Sequence, residues 1–307
     1  MIRVFENGQP LELPLPENAR VAVKPNLTFP RWKEGVTTSP EVLERVVEAL
    51  VARGNRVYVV ESDGGYGAWK CEQAFEGHGI YEMCKRYGAE AVNLTKSEWT
   101  SIEVGKGRRR IDLPFPKMLL DSIDAFITMP VPKVHCMTGV SLAMKNQWGV
   151  VPDTLRLNYH YRFTESILEI NRRLPSASVI ADGTFFLDDN GPMEGKPFRR
   201  DLVIAADTIG EFDRYLCEMM SVDPAKIIHI RHAMGAGFVP RNLDEIEFDR
   251  EQLERLRYEA RLRRTPRNWM VLTFFHSKHL TRLIYTSAFG RLLHHAFYAV
   301  VGKPTLD

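Results

Sequence analysis

The chain has 307 residues, 44% of them hydrophobic and 26% charged, with a formal net charge of +2. This length suits one large domain or two unequal ones with a substantial core, and the composition excludes a disordered or fibrous chain. A net charge this small says little about partners, and no run reaches the roughly 18 apolar residues of a membrane-spanning helix. The start, MIRVFENGQPLELP, lacks the basic start and apolar run of a signal peptide. Cys71, Cys84, Cys136 and Cys217 are scattered, with no CxxC motif and no zinc-finger spacing. They predict buried free thiols in a reducing, cytoplasmic setting.

The first regular element is expected at Arg20–Asn26, "RVAVKPN". In "SPEVLERVVEALVARGNRV", Ser39 suits an N-cap, Pro40 the first helical turn, and Gly54 the end. Val42, Leu43, Val46, Val47, Leu50 and Val51 recur at helical spacing, so one face is core. The next strand, "RVYVVES", completes a strand–helix–strand unit, which favours a parallel sheet. A helix over about Ala68–Tyr87 and a short strand "EAVNL" follow, then a hairpin turning near Gly105–Gly107. "DSIDAFITMPVPK" reads as a buried strand stopped by Pro130 and Pro132. Beyond it come a helix near Tyr161–Leu174, the strand "SASVIADG", a loop "DDNGPMEGKP", the strand "DLVIAAD", and helices near Gly210–Met220 and Pro224–Met234. The fold class expected is α/β, a mainly parallel sheet flanked by helices, over residues 1–249. Residues 250–307 form a basic, amphipathic helical extension. That extension suits packing on the domain or on a second copy, or lying on an anionic membrane surface, including the inner membrane face. Its short basic run, without a matching motif, speaks against nucleic acid.

In open α/β sheets, ligands lie beyond the carboxyl ends of the strands. Chemically able residues recur at such ends: Lys24 and Asn26, Glu61 and Ser62, Lys133 and His135, Asp182, and Asp207. The pattern points to one shared site if these strands belong to one sheet. The chemistry is anion recognition, with Lys24, Lys133 and Lys145 as cations and Asn26 and Asn146 as directed amide donors. Thr37, Thr38 and Thr138 add loop hydroxyls, and no P-loop is present. His135, His160, Lys145 and Lys133 are the candidates for proton transfer. Glu61 and Asp182 are candidates to orient them or to hold a divalent metal, and Glu194 and Asp213 are further acids. His229/His232 and His276/His279 would place two imidazoles on one helical face, without a carboxylate partner.

Taken in order, "KPNL", "TTSPEVLERVVEAL", "PVPKVHCMTGVSLAMKNQWGV", "DGTFFLDDNGPMEGKP" and "VIAADTIGEFDRYL" resemble the domain-of-unknown-function family numbered 362, over roughly Val21–Gly237. The resemblance rests on Lys24–Asn26, Lys133–His135, Lys145–Asn146 with Gly149, Asn190–Gly195, Asp207 and Asp213. It implies an α/β fold and no settled activity. Some members carry a fused ferredoxin-like module; this chain lacks the CxxCxxCxxxCP run, so no iron–sulfur cluster is expected. The function expected is an enzyme for a small carboxylate or phosphate, working by isomerisation, epimerisation or elimination. Lys24, Asn26, Thr38, Thr138 and Asn146 would bind the substrate. A metal- or redox-cofactor-dependent oxidoreductase and a non-catalytic ligand-binding or membrane-associated protein stand as alternatives.

Overall fold

The computed structural model describes residues 1–6, 13, 15–275, 277–285, 287, 290 and 292. Strand β1 (Ile2–Glu6) comes first, then β2 (Arg20–Pro25), helix α1 (Pro40–Ala52) and β3 (Arg56–Glu61). Helices α2 (Cys71–Gly77) and α3 (Ile80–Tyr87) lead to β4 (Glu90–Asn93) and to a hairpin of β5 (Trp99–Val104) and β6 (Ile111–Pro116). The short α4 (Met118–Asp121) precedes β7 (Ala125–Met129), and a small hairpin of β8 (Lys133–His135) and β9 (Gly139–Ser141) runs into α5 (Ala143–Asn146). Helix α6 (Phe163–Arg173) is followed by the long β10 (Ala177–Asp188) and β11 (Lys196–Ala206). Helices α7 (Ile209–Met219), α8 (Ile228–Gly235), α9 (Arg250–Leu256), α10 (Pro266–Phe275) and α11 (Lys278–Tyr285) complete the described chain.

The main sheet runs in the order β1-β11-β10-β7-β2-β3-β4. Strands β10, β7, β2, β3 and β4 are parallel, while β11 and β1 add an antiparallel edge. This is the expected α/β architecture. Strand periodicity splits its core in two: Val21 and Val23 face α1, whose Val42, Leu43, Val46, Val47 and Leu50 are all buried. Ala22 and Phe126 face the opposite layer, with Ile167 of α6 and Phe212 of α7. Each buried Val, Leu, Ile or Phe side chain among these contributes about 1.5–3 kcal/mol on burial.

Three expectations change. The chain's first strand is β1, recruited to the sheet edge by β11 with Ile2 opposite Ala206. The helix expected over Ala68–Tyr87 is two helices, because Gly79 sits at φ +65°, outside the helical region. Asp207 does not reach the shared end of the sheet. Strand β11 runs against its neighbour, so its end meets the chain start, where Asp207 pairs with the Met1 amine and Arg3. Among the described residues no helix is long and apolar enough to cross a membrane.

Strand β10 and helix α1 are bound together by one buried carboxylate. Asp182 accepts from the Ser39 N–H at 2.6 Å and its hydroxyl at 2.8 Å, and from the Thr184 N–H at 3.0 Å and its hydroxyl at 2.7 Å. Asp182→Ala leaves these buried donors unmade. It is expected to cost about 2–3 kcal/mol, seen as a lower urea midpoint with an unchanged slope.

Candidate active site

Strands β2, β3 and β4 are added outward in one direction, and the chain then returns to lay β7 on the free side of β2. The carboxyl ends of β2 and β7 therefore send their loops apart, leaving the crevice where ligands of such sheets bind. A cavity of about 390 Å³ occupies this crevice, lined by Lys24, Asn26, Glu61, His135, Lys145 and Asn146 together with apolar walls.

Its floor is an ion pair between strand ends. Lys24 donates to Glu61 at 2.8 Å and to the Pro25 carbonyl at 3.1 Å, and both side chains are buried. The other Glu61 oxygen accepts the Ser62 N–H at 3.0 Å. Gly149 lies against the pair: a Cβ there would stand 2.8 Å from Lys24 Nζ and 2.9 Å from Glu61 Oε1. The Ser62 hydroxyl donates to the Gly149 carbonyl at 2.5 Å, fixing that close approach.

The segment after β7 supplies the opposite wall. On β8, His135 is buried, and its Nδ1 accepts the Met137 N–H at 3.1 Å and the Thr138 N–H at 3.4 Å. With Nδ1 committed as an acceptor, Nε2 carries the hydrogen. Burial, reinforced by the charges of Lys145 and Lys133, holds the imidazole pKa well below its usual 6.5. Lys145 follows on α5, half-buried, and among the described residues its side-chain amine makes no hydrogen bond or ion pair. Burial brings its pKa down to about 8. Helix α5 is a single turn, anchored by Asp213 of α7, whose carboxylate accepts the Ala143 N–H at 2.8 Å and the Met144 N–H at 3.2 Å. Burial pushes Asp213 up to about 8, against those two donors, which hold it down. Asn146 donates to Thr128 Oγ1 at 2.9 Å and to the Lys24 carbonyl at 3.3 Å, tying α5 across β7 and β2.

The cavity thus gathers Lys24, Asn26, Glu61, His135, Thr138, Lys145, Asn146 and His160. Three residues expected there stand behind it. Lys133 is fully buried and donates to the Val36 carbonyl at 2.5 Å, pinning the loop before α1. Burial and the charges of Lys145 and Lys24 put its pKa well below the usual 10.5. Thr38 accepts the Asn26 N–H and donates to the Met129 carbonyl, both at 2.8 Å, and so joins the ends of β2 and β7. Asp182 is engaged at the start of α1, so Glu61 and Asp182 do not converge. Among the described residues no three His, Cys, Asp or Glu side chains group as a metal site. His229 is buried while His232 of the same helix is exposed, and His276 lies outside the described residues. All four cysteines are buried free thiols.

Sequence reasoning missed Arg156 and the apolar walls. Arg156 is buried in the turn Arg156–Arg162 and donates to the Val151 carbonyl at 2.8 Å and the Asp63 carbonyl at 2.6 Å. It lies at no strand end and in no periodic pattern, so nothing in the sequence marks it. Trp69, Trp148, Phe163 and Met193 come from four separate segments. His160 packs against two of them, its ring centroid 5.3 Å from that of Trp148 and 5.8 Å from that of Phe163. Gly149→Ala is expected to cost about 1–3 kcal/mol through overpacking of the ion pair, measured by urea unfolding.

The family model described as "Domain of unknown function (DUF362)" matches residues 21–218. Over 216 residues the chain is 24% identical to a thylakoid-associated protein of Synechocystis sp., covering 68% of this chain and 65% of that protein. The chain thus spans just under two thirds of that relative's length. No solved structure matches it. The matched region covers well over half of the chain and includes Lys24–Asn26, Lys133–His135 and Lys145–Asn146 at one end of one sheet: the chain belongs to the DUF362 family.

Proposed function

We propose that the cavity is the active site of an enzyme that moves a proton on a small carboxylate or phosphate, as in isomerisation, epimerisation or elimination. The observation that carries this reading is Lys145, a cavity amine of lowered pKa with no partner among the described residues, beside a neutral imidazole. Lys145 is the general base, since its pKa lies close to working pH. His135 is an electrophile rather than a base: its Nε2–H donates to the oxygen on which charge develops, and its low pKa keeps it neutral throughout. With Lys145 in its neutral form, Lys24 and Arg156 still outweigh Glu61 among the lining residues. One net positive charge therefore remains to hold one anionic group. The apolar walls exclude water and strengthen these interactions. The relative named for its association with thylakoids makes a membrane face the working location we propose for this chain as well.

Two measurements test the chemistry. Acetylation of Lys145, followed by peptide mass spectrometry against pH, should rise through a midpoint near 8, because the free amine is the reactive form. A midpoint near the ordinary lysine value removes the base. Deuterium exchange from solvent into a panel of carbon acids bearing carboxylates or phosphates should likewise rise with pH through about 8 and then level. Lys145→Met should slow it by about 100-fold or more, and undiminished exchange in that variant would refute the assignment.

A further inference from the structure

The helical extension carries a surface that the pocket chemistry does not use. Residues 260–307 hold eight of the chain's 41 lysines and arginines and one of its 39 acids, a net +7 against −5 for residues 1–259. Apolar side chains stand outward on the same extension. On α10, Leu272 turns to the cavity while Trp269 and Met270 are 57% and 51% exposed. On α11, Thr281 is buried, and Leu280 and Leu283 on the other side are exposed. Arg261, Arg263 and Arg267 are exposed beside them. Besides Leu272, two side-chain contacts seat the extension beside the pocket. Arg264 Nε donates to the carbonyl of Cys136, next to His135, and Lys278 lies over the Tyr161 ring at 5.3 Å.

Exposed tryptophan, leucine and methionine among arginines, with no acid from residue 260 to residue 306, match the acyl boundary and the headgroups of an anionic bilayer. A second copy fits poorly, because a twofold contact would set Arg261, Arg263 and Arg267 of one extension against those of another. A nucleic-acid backbone would satisfy the arginines and leave the outward apolar groups against water. We propose that α10, α11 and the arginines before them seat the protein on an anionic lipid bilayer. Trp269, Met270, Leu280 and Leu283 would enter the acyl boundary, and Arg261, Arg263 and Arg267 would lie among the headgroups. This rests on the membrane location proposed above and is independent of the proton-transfer chemistry.

The test is co-sedimentation of the full chain with vesicles of phosphatidylglycerol and phosphatidylcholine, and with vesicles of phosphatidylcholine alone. Binding is expected to the anionic vesicles only and to weaken as salt is raised. Reversing Arg263→Glu and Arg267→Glu together should weaken it by about 30-fold or more, and Trp269→Ala should weaken it at unchanged charge. Lys145→Met should bind as the wild type does, which separates this surface from the pocket. Circular dichroism melting confirms that each variant is folded. Absence of vesicle binding, equal binding to neutral vesicles, or indifference to the double reversal overturns the proposal. So does a concentration-dependent dimer, seen by light scattering, that the reversal dissolves in the absence of lipid.

Discussion

The buried pair of Lys24 and Glu61 is the constraint around which the rest of the site is arranged. It joins the ends of two adjacent parallel strands with both side chains buried, where either charge alone would be costly. Removing one partner of such a pair typically costs about 3–5 kcal/mol. Glycine at position 149 follows from it, since any side chain there would push into the ammonium and the carboxylate. Gly149 in turn sets the path of the chain between Lys145 on one side and Arg156 on the other. An ion pair that cancels its own charge thus supports a pocket whose remaining charge is positive.

Much of the polar chemistry at this end of the sheet is support. Asp182 ties β10 to α1, Thr38 joins the ends of β2 and β7, and Lys133 pins the loop at Val36. Asp213 anchors the one turn of α5, which is too short to be stable alone. The residues that keep free chemistry are fewer: the Lys145 amine and the Nε2 side of His135 face the cavity with their other demands already met or absent. Rigid hydrogen-bonded surroundings of this kind are what a proton-transfer site needs, because a small displacement of base or donor is expensive in rate.

The parallel sheet was legible in the sequence because α1 and the strands beside it are strongly periodic, and Pro130 and Pro132 mark the end of β7. The gathering of Lys24, Glu61, His135 and Lys145 was legible because parallel strands put their carboxyl ends together. The same rule failed at Asp207, since nothing in "DLVIAAD" shows that its strand runs antiparallel. Strand β1 was missed because only its pairing with β11 makes five residues into a strand. The support roles of Thr38, Asp182 and Lys133 were beyond reach for a different reason. A buried hydroxyl, carboxylate or ammonium looks the same in sequence whether it meets a ligand or a backbone carbonyl. Arg156, Trp69 and Trp148 come from turns and single-turn segments, and Phe163 opens α6, so no period betrays their place in the wall.

Leu272 belongs to the cavity wall and to the helix whose other side is open, and Arg264 fastens the same extension beside His135. Coupling between two such faces is reciprocal as a matter of thermodynamics. A ligand that favours one setting of α10 raises, by the same factor, the affinity of whatever holds the outer face in that setting. Pocket and extension therefore share one helix, and a change on the inward side of α10 alters the wall of the one and the seat of the other.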